Sequence, residues 1–181
     1  MIGDAFLTEL KRQQGIEATS DPVLIDERKQ GFLTYRFELQ GETWSGQPAI
    51  RIMMTEFRGN GKSGKRRKAF TWPVDDAAKE LKAIADTILN ALEPGAEKQD
   101  PRTWFGRTFD NLTGARYLNY IPVVAEDTRH SKRHWLRAQI MEDNQQGQLV
   151  TLYEEWEKRA PIWMRIPVET LRTLRDRVDS I

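Results

Sequence analysis

Two short segments, Trp72-Pro73-Val74 and Ile166-Pro167-Val168, limit what this chain can become more than any other feature. Each closes a stretch of alternating apolar residues and opens a helical stripe. A proline keeps the residue before it extended and fits the first turn of a helix, where its missing N–H costs nothing. After the first segment, Asp75 opens a helix that runs to about Leu92, with Ala77, Leu81, Ile84, Ile88 and Leu92 at three-to-four spacing. Pro94-Gly95 stops it. After the second, Leu171, Leu174, Val178 and Ile181 make a matching stripe. Strands that feed a helix, twice in 181 residues, predict an α+β chain of two antiparallel sheet-plus-helix repeats.

The strands are read from period-two alternation. Leu33, Tyr35, Phe37 and Leu39 alternate with polar residues over Phe32–Leu39, and Ile50, Ile52 and Met54 do so over Ala49–Phe57. A third strand runs from about Lys65 to Trp72, beyond the loop Arg58–Gly64. Residues 4–14 read as a short helix ended by Gly15, Pro22–Ile25 as an edge strand, and Gly41–Pro48 as a turn carrying Trp44. A shift of 86 positions lays Phe32–Leu39 on Leu118–Ala125 and Ala49–Phe57 on Trp135–Asp143, matching Arg51 with Arg137 and Glu56 with Glu142. A shift of 94 superposes the two proline entries, and Gln148–Glu157 and Ile162–Ile166 supply two more strands. The predicted organisation is an N-terminal helix and linker over 1–30, a first repeat over 31–93, a linker over 94–116 and a second repeat over 117–181. Neither half covers its own apolar sheet face, so the two should pack as one domain.

Charge looks uninformative as a sum: 28 Lys+Arg against 27 Asp+Glu give +1. Its distribution is not. Arg58, Lys62, Lys65, Arg66, Arg67 and Lys68 lie within eleven residues that contain no acid. A second cluster, Arg129, His130, Lys132, Arg133, His134 and Arg137, falls at the hairpin before Trp135. Near-neutrality excludes a uniformly basic coat but not a grooved binder. With no cysteine there is no disulfide framework, thiol nucleophile or thiolate metal site, which fits a reducing, cytoplasmic setting. The charged N-terminal residues Asp4, Glu9, Lys11 and Arg12 do not read as a secretory signal, and no uncharged run approaches a membrane span.

This pattern resembles the PUR and Whirly group of single-stranded nucleic-acid-binding proteins, in which strand–strand–strand–strand–helix units pair within or between chains. Tyr35 and Phe37 in the first strand, Ala49-Ile50-Arg51-Ile52 with Glu56 in the second, and the Trp72-Pro73-Val74 helix entry carry the likeness. It spans about Phe32–Leu92 and Tyr117–Ile181; the first unit has three clear strands, with Val23–Ile25 available as a fourth. The resemblance implies single-stranded DNA or RNA as ligand, no catalysis and no cofactor. Its partners would be nucleic acid, a protein partner or a second copy in a homodimer, and not a membrane.

The residues expected to carry that function are of two kinds. Lys62, Lys65, Arg66, Arg67, Lys68, Lys132 and Arg133 lie on basic hairpins that would track phosphates. Arg36, Arg51, Arg137, Trp163 and Arg165 fall on polar strand faces, and Trp135 and Trp44 stand beside them, a mixture suited to base stacking. Each has a structural alternative: a solvated hairpin tip for the basic loop, burial between the repeats for Trp135 and Trp163, a lid on the core for Trp44. Trp104, Phe105 and Phe109 read as core, and Glu154-Glu155-Trp156-Glu157 as acidic surface.

Other chemistries find weaker footing. Gly59–Lys65 nearly matches phosphate-binding glycine loops, but a strand pattern follows it where a helix N-terminus is required. His130 and His134 have the four-residue spacing of a metal pair without an evident third ligand, so no metal is expected. No nucleophile elbow or acid pair suggests an enzyme. The alternative function is a protein-interaction or regulatory adaptor that uses the aromatic linker and acidic helix faces.

Overall fold

The computed structural model describes residues 9–59 and 65–180. It is α+β, with two antiparallel sheets. The first contains β1 (Ile16–Ala18), β2 (Val23–Gln30), β3 (Leu33–Trp44), β4 (Gln47–Arg58) and β5 (Arg66–Pro73), and leads into α1 (Ala77–Asn90). Helix α2 (Trp104–Thr113) lies in the connection. The second sheet contains β6 (Ala115–Asp127), β7 (His134–Asp143), β8 (Gly147–Trp156) and β9 (Ile162–Pro167), and leads into α3 (Val168–Arg177). Among the described residues, no helix is long and apolar enough to cross a membrane.

Several elements differ instructively from the sequence reading. The Pro22–Ile25 segment becomes the eight-residue strand β2, paired along β3, while β1 pairs with the far end of the same strand. Counted back from each helix, β3 therefore stands where β7 does, and β2 where β6 does. The shift of 86, which laid the β3 segment on β6, is displaced by one strand. It went astray because β2 looks polar: among Asp26–Gln30 no residue is buried, as suits an edge strand. The expected turn over Gly41–Pro48 narrows to Ser45-Gly46, both at positive φ (50° and 78°), the two-residue turn that matches strand twist. Helix is described over residues 9–13, before Gly15; the earlier residues of the expected 4–14 helix lie outside the described residues, as does Ile181.

The two sheets share one core. Tyr35, Phe37, Leu39, Ile52 and Phe70 from the first join Leu136, Ala138, Ile140, Leu152 and Met164 from the second, together with Ile84, Ile88, Leu171 and Leu174 of the helices. Helix α1 starts on Asp76, whose carboxylate accepts from the Lys79 N–H at 3.1 Å, while Glu80 accepts from the Asp75 and Asp76 N–H groups. That reciprocal arrangement satisfies donors the first turn leaves orphaned. The helices pack on each other, and each also reaches a strand of the opposite sheet: α1 touches β6 and α3 touches β2. Thr170 of α3 donates to Asp26 at 2.8 Å, and Arg177 donates at 2.6 Å to the carbonyl of Ile25, the residue the β2–β3 ladder skips. Asn119, at the matching irregularity in β6, binds the chain after α1 through the carbonyls of Ala91 and Glu97 and the N–H of Gln99.

Two buried phenols give this packing a pH signature. Burial pushes Tyr35 and Tyr117 up to about 12 from an ordinary 10.0, with the charges of Glu56 and of Asp100 adding to it, respectively. A folded-state value raised above the unfolded one means stability is complete below pH 10 and is lost as pH climbs toward 12. Tyrosinate absorbance titrated alongside circular dichroism should show part of the phenol ionisation delayed until the fold opens in that window. Ionisation of all four tyrosines near pH 10 with the fold intact would refute this.

Candidate functional site

Strand parity decides which side chains leave the core. On the outer face of the second sheet, register places Glu126, Trp135 and Glu155 in one row, then Arg137, Tyr153 and Trp163, then Tyr120, Gln139, Thr151 and Arg165. These rings are half-buried. Cations lie against them throughout: Arg133 over Trp135 at 4.3 Å, Arg137 over Tyr153 at 3.7 Å and Arg165 near Trp163 at 5.7 Å. Lys68 reaches from β5 of the other sheet to within 5.0 Å of the Trp163 ring. Arg66 and Lys68 share a crevice with Trp163 and Arg165 at that junction. Beside it, a depression of about 320 Å³ is lined by Gln139, Met141, Tyr153, Trp163 and Arg165 among others. The base of the first basic hairpin thus meets the aromatic face of the second sheet, and Arg102 over Tyr117 at 3.9 Å extends the same arrangement.

The face is not uniformly positive. Arg137 donates to Glu155 at 2.5 Å, and Arg133 pairs with Glu126 at 3.2 Å. An anion arriving here competes with these carboxylates, which weakens binding but lets salt and charge variants tune it.

The other expected residues lie elsewhere. Arg36, Arg51 and Arg67 occupy the outer face of the first sheet, where Met53 and Thr55 are buried between them. Arg36 pairs with Glu38 at 3.5 Å, Arg67 donates to Thr55 at 3.4 Å, and the Arg51 Nε has no hydrogen-bond partner among the described residues. Described aromatic rings are sparse there, so this face offers charge without a stacking ladder. Lys65 is exposed, 5.8 Å from the Phe57 ring, and Lys132 is exposed on the β6–β7 loop. Lys62 lies outside the described residues.

Three expectations are corrected. Trp104 and Phe105 are 70% and 76% exposed rather than core: they stack edge to face on each other at 4.7 Å on α2. The side chain of Phe109 lies outside the described residues. Glu154 is buried, because parity turns it into the core while Glu155 faces out. His134 is no phosphate ligand but a core residue with 0% exposure.

His134 explains why Glu154 turns inward. Its Nδ1 meets Asp127 Oδ2 at 2.9 Å and its Nε2 meets Glu154 Oε1 at 2.9 Å, while Trp156 Nε1 donates to the same Glu154 oxygen at 2.9 Å. The ring stacks on Trp156 (centroids 3.8 Å apart, 14° between planes) with Trp72 4.7 Å away. His130 Nδ1 bonds the same Asp127 oxygen, and Trp44 covers His130 at 4.2 Å. Trp44 is therefore the lid of this cluster rather than a member of the aromatic face. Burial pushes the Asp127 carboxyl up, but hydrogen bonds from His134, the Arg129 N–H and His130 outweigh it and hold it below its ordinary value. Asp127 is the third group near the histidines that the sequence did not reveal.

No protein-family model matches this chain, and no curated protein does.

Proposed function

We propose that this chain is a non-catalytic single-stranded nucleic-acid-binding protein, built as two tandem strand–helix repeats of the PUR and Whirly type. The observation that carries the reading is the outer face of the second sheet, where Arg133, Arg137, Arg165 and Lys68 lie against Trp135, Tyr153 and Trp163. Alternating cations and rings serve a flexible strand, since every base offers a stacking face and every linkage a phosphate. The order β2–β5 then α1, followed by β6–β9 then α3, supports the repeat, with β1 as an extra strand on the first sheet, as does the contact of each helix with the opposite sheet, α1 with β6 and α3 with β2. DNA and RNA are both suited to such a face.

Titrating a labelled oligonucleotide at rising salt tests the proposal. With four phosphate contacts, log K should fall with log salt at a slope near about −3. Replacing Lys65, Arg66, Arg67 and Lys68 together with alanine should flatten that slope and weaken all sequences alike. Absence of single-strand binding at low salt would end the proposal.

The exposed Trp104–Phe105 pair favours a second reading, a protein-interaction adaptor. A pull-down repeated after nuclease treatment separates the two: a partner that survives nuclease and is lost in Trp104→Ala supports the adaptor.

A further inference from the structure

The histidine cluster has a use beyond the nucleic-acid reading. We propose that Asp127, His130 and His134 form a site for one divalent transition cation of the zinc class, bound through Asp127 Oδ2 and the Nδ1 atoms of both histidines.

One ligand atom from each of the three residues lies within 4.8 Å of the other two, and both Nδ1 atoms contact Asp127 Oδ2. A zinc-class ion at about 2.0–2.1 Å from each tetrahedral ligand holds the ligands about 3.3–3.4 Å apart, so His134 Nδ1, 2.9 Å from Asp127 Oδ2, would shift by only about half an ångström. His130 needs only to back away from Asp127, and it sits on the β6–β7 connection with its side chain 29% exposed. Two imidazoles and one carboxylate suit zinc, cobalt or iron better than calcium or magnesium, which prefer all-oxygen shells.

The outer shell points the same way. A ligating histidine usually passes its second ring N–H to a carboxylate. Here His134 Nε2 faces Glu154, which Trp156 Nε1 fixes in turn. The other Asp127 oxygen accepts from the Arg129 N–H at 2.8 Å, which leaves Oδ2 directed at the histidines. Charge agrees as well. Asp127 and Glu154 bring two negative charges to side chains 0% and 6% exposed, and a divalent cation balances both. Three protein ligands leave a coordination position for water. The ion would brace the loop that carries Lys132 and Arg133 beneath Trp44 of the β3–β4 hairpin.

Equilibrium dialysis of the full chain, first stripped with a chelator, against limiting zinc tests this. One ion per chain is expected, with a rise in the thermal midpoint that the chelator reverses. Replacement with cobalt should give the absorption bands of a low-coordinate nitrogen–oxygen site. His130→Ala removes a ligand at the rim, where folding is least at risk, and should abolish stoichiometric uptake; Lys29→Ala, at an exposed position on β2, should not change it. Glu154→Gln should lower affinity about 10- to 100-fold. Failure to take up zinc, or unchanged uptake in His130→Ala with the fold intact, overturns the proposal.

Discussion

Replacing His134 with alanine in the metal-free protein should cost the fold about 3–5 kcal/mol, the loss expected when one partner of a buried ionic group is removed. The imidazole stands between two carboxylates that have almost no access to water, Asp127 on one nitrogen and Glu154 on the other. Each ring nitrogen is engaged by a carboxylate side chain, so the ring ties the two acids together. Without it, two buried acids lose their shared partner, and Trp156 and Trp72 lose a packed ring at 3.8 Å and 4.7 Å. For a chain of this length, the midpoint of thermal unfolding should fall by roughly 10 °C. Glu154→Gln is the informative contrast. It keeps an acceptor for Trp156 and His134 and removes one buried charge, so its cost should stay near about 1 kcal/mol. If His134→Ala unfolds no more easily than Glu154→Gln in a denaturant titration, the imidazole is not holding the acids.

What the sequence could not reveal about this cluster follows from where its partners lie. Glu154 is 20 residues beyond His134 and reaches it only across the β7–β8 ladder, where Glu154 pairs with Leu136 and His134 with Trp156. In one dimension, Glu154-Glu155-Trp156-Glu157 reads as a run of acids; parity then splits it, Glu154 inward and Glu155 outward. Tyr153 was overlooked for the same reason, although it is the central ring of the aromatic face. The legible part was what period and proline announce. The alternation around Tyr35, Ile52 and Phe70, the two helical stripes and the Pro73 and Pro167 boundaries all have their expected counterparts. Parity also sent Arg36, Arg51, Arg137, Trp163 and Arg165 out of the core, as expected, but could not say that they divide between two sheets. Strand β2 was hard to see because only Ile25 buries fully, and Trp104 and Phe105 misled because large rings in a linker usually find a core.

Removing rings from the outer face of the second sheet should have the largest effect on single-strand binding. Trp163→Ala and Tyr153→Ala are each expected to cost about 1–3 kcal/mol, roughly tenfold or more in affinity, if a base stacks on each ring. Both side chains are half-exposed and point away from the shared core, so the fold should survive, and the loss should be similar for all sequences. The two differ in what they leave behind. Trp163 holds Lys68 at 5.0 Å and so couples the two sheets; its loss should also flatten the salt dependence. Tyr153 supports Arg137 at 3.7 Å, which Glu155 already engages at 2.5 Å. Glu155→Gln should therefore tighten binding by releasing Arg137 to a phosphate, while the same change at Glu38, paired with Arg36 on the other sheet, should do little. Tryptophan fluorescence during oligonucleotide titration reads both outcomes. Equal losses from Arg51→Ala and Trp163→Ala would instead place the strand across both sheets, and a wild-type affinity in Trp163→Ala would remove this face from the site.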